Sequence, residues 1–168
     1  NDFDVYLYPT LFNRVRIELK SGILNFSELQ VWIDGSNIAQ DGRTNSSPLD
    51  SNSKLYYIND NMLVANVHST GQNIDLKFAE IYWDKSYAIE QIESIVIYNR
   101  TDEYRNRIYG AELQLFYSDI LVSKTTINEN PSSDNLIFRF NGPSIGTVTN
   151  FSTIANPVTD TSLSNIPR

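Results

Sequence analysis

Apolar and polar residues alternate with period two along much of this chain. In "RVRIELK" Val15, Ile17 and Leu19 fall on one side, and in "SELQVWI" Leu29, Val31 and Ile33 do the same. Successive side chains of a strand point to opposite faces, so each run predicts a strand with one buried face, the habit of antiparallel sheets. Further strands are expected at Lys54 to Ile58, Asn73 to Phe78, Ile92 to Tyr98, Ala111 to Tyr117 and Asn135 to Phe140. Among them "NIDLKF" alternates Ile74, Leu76 and Phe78, whereas "IESIVIY" is a continuous β-branched run suited to a central strand. Between Ile33 and Lys54 lie two Asp-Gly pairs, a proline and many Ser and Asn residues, which read as a long surface connection. The segment "YWDKSYAIEQI" is the one helix candidate, and its aromatic residues make a loop equally compatible.

Short strands, long polar connections and no helical periodicity predict an all-β fold, an antiparallel jelly-roll β-sandwich of about eight strands. Residues 12–117 form the expected sandwich, with residues 1–11 as an N-terminal arm. Residues 118–168 form an extension holding one strand, "LIFRF", and a terminal arm rich in Pro, Ser and Asn. "SELQVW" at Ser27 to Trp32 and "AELQLF" at Ala111 to Phe116 echo each other. Two copies are too few for a stacked repeat, so the echo implies two strands in similar surroundings.

Composition narrows the function. With 168 residues the chain suits one domain, and its hydrophobic content of 40% is that of a folded protein. A formal net charge of -7 disfavours a nucleic-acid backbone or an anionic membrane surface, which need a positive field, and neutral partners fit better. No apolar run approaches the roughly 20 residues that span a bilayer, so no membrane insertion is expected, and "NDFDVYLYPT" lacks the features of a signal peptide. Absence of cysteine removes disulfides, thiolate metal sites and a cysteine nucleophile. Asn25, Asn45, Asn99 and Asn150 head Asn-x-Ser/Thr triplets, which arise often by chance in a chain this rich in Asn and Ser.

One stretch stands apart from this background. In "IVIYNRTDEYRNRIYGAEL" a strand runs into a loop carrying Arg100, Asp102, Arg105 and Arg107. Together with "NRVRIELKSGILNFSELQVWIDGSNIAQDGRTNSS" and "YYINDNMLVANVHSTGQNIDLKF", this segment resembles the galactose-binding-like β-sandwiches, the discoidin, coagulation-factor C-type and F-type fucose-binding lectin domains. The resemblance covers residues 12–117 and implies a jelly roll that binds glycans or phospholipid headgroups with loops at one end. In the F-type lectins one His and two Arg read the sugar, the arginines in an Arg-x-Asp-x-x-x-x-Arg pattern. Arg100, Asp102 and Arg107 satisfy that pattern, and His68, the only histidine, lies in the corresponding "VHST". Glu103-Tyr104 stands where many relatives have adjacent cysteines, leaving the Tyr104 ring as an alternative apolar face for the sugar.

The chemistry fits the resemblance. A neutral sugar presents vicinal hydroxyls, and guanidinium forks with an imidazole supply rigid donors and an acceptor. Asp102 is placed to fix Arg100 or Arg107 by a bidentate pair, which lowers the ordering cost of binding. Arg105 has no role in the pattern and is expected to be solvated. The competing reading is a loop-tying Arg-Asp cluster on a retained scaffold, since such clusters are common at strand ends. A second group, "INDN" at Ile58 to Asn61 with Glu112 of "GAEL", is rich in oxygen. Calcium favours six to eight oxygen ligands, and the resemblance implies a structural Ca2+ held by Asp60, Asn61 and Glu112.

One histidine, no cysteine and no Gly-rich phosphate loop assemble no usual catalytic arrangement, so no enzyme is expected. Two functions follow as expectations. One is a carbohydrate-binding module, with a fucose-like glycan as partner, on a virion, cell surface or secreted assembly. The other is a structural or decorating protein of a large assembly such as a giant-virus capsid, contacting protein neighbours through the C-terminal arm.

Overall fold

The computed structural model describes residues 10–63, 65–71, 76–128, 137–141 and 153–154. Residues 1–9 of the N-terminal arm and most of the terminal arm lie outside the described residues.

Among the described residues twelve strands build an all-β sandwich: β1 Leu11–Leu19, β2 Asn25–Phe26, β3 Glu28–Ile33, β4 Ser36–Asn37, β5 Arg43–Ser46, β6 Val67–His68, β7 Lys77–Ala88, β8 Ile92–Tyr98, β9 Glu112–Tyr117, β10 Ile120–Thr126, β11 Ile137–Asn141 and β12 Thr153–Ile154. One five-stranded antiparallel sheet has the order β10-β9-β1-β7-β5, and the other has the order β12-β11-β8-β3-β4. A two-stranded ladder, β2 with β6, lies apart from both.

Alternation decides which side of each strand is dry. Val15, Ile17 and Leu19 of β1, with Leu113 and Leu115 of the neighbouring β9, share one buried cluster with Leu29, Val31 and Ile33 of β3 and Ile95 and Ile97 of β8 in the other sheet. In β8 the consecutive residues Ile95, Val96, Ile97 and Tyr98 are all buried, so both faces of that stretch are covered, in keeping with its unbroken apolar pattern. Asp34 and Gly35, both at positive φ, make the two-residue turn that folds β4 back on β3, a conformation that Asp-Gly adopts readily.

Several segments depart from the expected elements. Leu55–Ile58, expected as a strand, is a single 3-10 turn. The polar connection after Ile33 contains β5, whose Arg43 to Ser46 pair with Tyr82 to Ala79 of β7 as an edge strand. The helix candidate is mostly strand: β7 runs to Ala88, bulging between the pairs Arg14–Tyr82 and Phe12–Tyr87, and one 3-10 turn follows at Ile89–Gln91. Trp83 turns inward at this bulge, where its indole donates to the carbonyl of Ile38 at 2.9 Å. Of the expected Asn73 to Phe78 strand, residues 73–75 lie outside the described residues, and the strand begins at Lys77. Beyond residue 117 the extension contributes β10 to the first sheet and β11 to the second, so both sheets continue past the expected sandwich boundary.

The echo between "ELQVW" and "ELQLF" has a structural basis. They form β3 and β9, one strand in each sheet, and both bury the glutamine on the outward side, Gln30 and Gln114. Over β3 the cover is the loop at 59–61. There Asn61, in the left-handed region at φ 63°, donates its amide to Glu28 Oε1 at 2.9 Å and accepts from Gln30 Nε2 at 3.3 Å.

Candidate functional site

The site is built where the β2–β6 ladder meets the β8–β9 loop. β2 places Asn25 directly opposite His68 of β6. Ser27 ties that ladder to the end of β8: its amide donates to the Tyr98 carbonyl at 2.6 Å, and its hydroxyl bonds Asn66 Oδ1 at 2.8 Å. Asn99 Nδ2 then reaches across the loop to the Arg105 carbonyl at 2.8 Å. The loop closes with a 3-10 turn, Arg105–Ile108, anchored by the buried Ile108.

Asn25 is the centre of this arrangement. It is wholly buried, and its Oδ1 accepts from Arg100 Nη1 at 3.1 Å and from Arg107 Nη1 at 2.9 Å. A neutral carbonyl oxygen therefore holds two cations side by side. The two arginines otherwise differ. Arg100 is locked by Asp102, with Nε on Oδ1 at 2.6 Å and Nη2 on Oδ2. Asp102 Oδ1 also accepts the Tyr104 amide at 3.1 Å, an Asx turn that shapes the loop. The Arg100 hydrogen bond is the main cause that holds the Asp102 carboxyl below the usual aspartate range, against the opposing effect of burial.

His68 completes the set. Its Nδ1 lies 2.7 Å from the Ser69 carbonyl, which accepts only, so the proton resides on Nδ1. Nε2 is then a lone pair, and Arg107 Nη1 donates to it at 3.3 Å. The Tyr104 ring lies 4.2 Å from the Arg107 guanidinium carbon and 5.1 Å from that of Arg100, covering both. His68, Arg100, Asp102, Tyr104 and Arg107, the expected sugar-binding residues, are thus brought together. Asp102 fixes Arg100 rather than Arg107.

Beside this cluster an open cavity of about 370 Å3 is lined by His68, Arg100, Asp50, Asn52, Asn66 and Tyr57. It offers amide donors and acceptors, one carboxylate and one aromatic ring. Tyr57 packs edge-on against Tyr56 at 4.9 Å, and a hydrogen bond with Tyr56, together with burial, raises its phenol above the usual value.

Two expectations change. Arg105 is half-buried rather than solvated, and its Nη1 donates to the Asp102 carbonyl at 3.2 Å, bracing the loop from within. The proposed calcium ligands are dispersed among other partners. Glu112 faces Lys20 at 3.8 Å and Lys124 at 3.6 Å in the first sheet, whereas Asn61 is engaged with Glu28 and Gln30 of the second. Asp60 Oδ1 accepts the Met62 amide in a local turn. No group of three or more His, Asp or Glu residues suited to a metal ion occurs among the described residues.

Asn25 was visible in the sequence only as the first residue of "NFS". With Asn25 and Asn99 both buried, neither side chain is presented to solvent, while Asn45 is exposed and Asn150 lies outside the described residues. Comparison of the chain with protein-family models, curated proteins and solved structures finds no match in any of the three.

Proposed function

We propose that this protein is a non-catalytic carbohydrate-binding module whose site is the Arg100, Arg107, His68 and Tyr104 cluster with its adjoining cavity. The reading joins the sandwich to the lectin-like spacing of these residues, as in galactose-binding-like domains. One observation carries it: residues far apart in the chain meet on the buried Asn25, next to an open polar cavity with an aromatic wall. Polar side chains already fixed beside such a cavity suit sugar hydroxyls, because the ordering of the side chains precedes binding. A loop-tying cluster would need only the Arg100–Asp102 pair.

A glycan array with the full chain and with the double variant Arg100→Ala plus Arg107→Ala tests the proposal, with circular dichroism as a folding check. Retention of specific glycans by the wild type and their loss in the folded variant are expected. Failure of the wild type to retain any glycan, or equal retention by both, would count against it.

A role as a building block of a larger assembly is supported by a separate feature. At the β9–β10 hairpin Tyr117, Ile120 and Leu121 are exposed by 40%, 65% and 42%. Apolar residues grouped at a hairpin tip suit contact with a protein neighbour. Incorporation of an Ile120→Asp plus Leu121→Asp variant into particles, compared with wild type, tests that role, and undiminished incorporation would refute it.

A further inference from the structure

The two arginines of the site are unequal, and the inequality bears on the ligand. Every guanidinium nitrogen of Arg100 is engaged, Nε and Nη2 by Asp102 and Nη1 by Asn25, and its side chain is 10% exposed. Its charge is compensated and its fork is occupied, so it acts as a strut. Arg107 spends one nitrogen on Asn25 and His68, both neutral there, and stacks on a neutral ring. Among the described residues no carboxylate lies within ion-pair distance of it, and its Nε and Nη2 carry no hydrogen bond. What remains is a half-buried cation with one open two-pronged edge.

We propose that the site reads an acidic sugar, and that the sugar carboxylate seats on the Nε and Nη2 edge of Arg107. The inference rests on the glycan-binding reading above and narrows it. Hydroxyls would satisfy the N–H groups but leave the charge uncompensated, whereas a planar carboxylate matches the fork in geometry and sign. Asn25 makes this available: an aspartate at that position would neutralise Arg107 from within. Asp50, whose Oδ1 accepts from the Asn52 amide, belongs to the cavity wall rather than to Arg107, and it offers an acceptor for the hydroxyls of the same ligand. The overall negative charge of the chain does not oppose this, since exposed charges beyond about 10 Å are screened at ordinary salt.

The test is titration calorimetry of the full chain with sialyllactose, sialyllactose methyl ester, lactose and sodium acetate, at low and at high salt. Sialyllactose is expected to bind about tenfold or more tightly than its ester or lactose, as a charge-assisted pair exceeds a neutral one. The gap should narrow at high salt. Arg107→Lys, which keeps the charge and removes the fork, should erase most of the preference while its thermal melt stays close to wild type. A second variant, Arg107→Gln, should bind acid and ester alike. Equal affinity of the wild type for acid and ester, or an undiminished preference in Arg107→Lys, overturns the inference while glycan binding stands. Acetate competing as well as sialyllactose overturns it in favour of a small-anion site. Absence of binding to every glycan overturns both readings.

Discussion

Replacing Asn25 with alanine should unmake the site more thoroughly than removing either arginine. The side chain is fully buried; its Oδ1 accepts two hydrogen bonds from charged donors, Arg100 Nη1 and Arg107 Nη1, and its Nδ2 donates one long bond to the Val67 carbonyl at 3.4 Å. Hydrogen bonds to charged groups contribute about 1.5 to 3 kcal/mol each. That range is an upper bound here, because Arg100 retains both bonds to Asp102 and both arginines are partly open to water. A net loss of about 2 kcal/mol results, and for a domain of this size a loss of 1 kcal/mol lowers Tm by about 2 to 4 °C, giving about 4 to 8 °C in total. Without the shared acceptor nothing neutral separates the two guanidinium groups, so Arg107 should swing from its place beneath Tyr104.

The assay is a set of urea and thermal unfolding curves for wild type, Asn25→Ala, Arg107→Gln and the double variant. Because Asn25 and Arg107 are in direct contact, the cycle should be non-additive by about 1 kcal/mol. Asn25→Asp sharpens the comparison: the nearly isosteric carboxylate should keep or raise Tm by pairing with both arginines, yet weaken binding of an acidic sugar. An additive cycle, or an Asn25→Ala protein with Tm and glycan affinity both unchanged, would refute the role given to this residue.

Gly42→Ala should destabilise the protein by about 1 to 3 kcal/mol, since the added Cβ would lie 2.2 Å from Ile81 Cγ2 and 3.1 Å from the Trp83 indole; thermal melts and Trp fluorescence report it. Glu80→Ala should cost about 3 kcal/mol in urea titration, because Glu80 is buried and takes a 2.8 Å bond from Arg16 and one of 3.2 Å from Asn45, and its loss leaves Arg16, between the Phe78 and Phe116 rings, with only its longer 3.5 Å contact to Glu18. Asp102 gives a pH dependence of definite sign. Its folded carboxyl lies below the ordinary 3.8, so its stabilisation is fully present above that value and is lost as pH falls through the lowered folded value. Stability of wild type minus that of Asp102→Asn, followed by denaturant titration, should therefore be flat from neutral pH to about 5 and shrink only in stronger acid; a difference that vanished near neutral pH would contradict the Arg100–Asp102 geometry.

The parts of the fold that were legible in the sequence are those where one physical demand acts alone. β1, β3, β8 and β9 each bury an alternating or continuous apolar set, and burial writes that set into the sequence directly. β5 is unreadable by the same logic, because Arg43 to Ser46 contain no apolar residue: this edge strand is held by backbone pairing with β7 and by Arg43–Asp84 and Asn45–Glu80 contacts. β7 is misread where it bulges, since the four residues between the two registers, Trp83, Asp84, Lys85 and Ser86, follow no strand period. The site shows the same division. Arg100, Asp102, Tyr104 and Arg107 are neighbours in the chain, so their spacing is visible, whereas Asn25 lies 75 and 82 positions from the arginines that it organises. A polar residue in a two-residue strand has no periodicity, and only the topology reveals its partners.

Three arginines within eight residues of an acidic chain also divide by partner rather than by sequence. Arg100 is compensated by Asp102, Arg105 is turned into the loop as a brace on the Asp102 carbonyl, and Arg107 faces only neutral groups. A net charge of -7 spread over the whole chain has little bearing on such a place, because the field at a half-buried group is set by what lies within a few ångströms of it. The composition therefore argues for neutral partners, while Arg107, with no carboxylate partner among the described residues, supports the acidic ligand proposed above by the shorter-ranged argument. That argument rests on Asn25 being an amide: the residue that sets the geometry of both guanidinium groups carries no charge, so it orders Arg107 without quenching it.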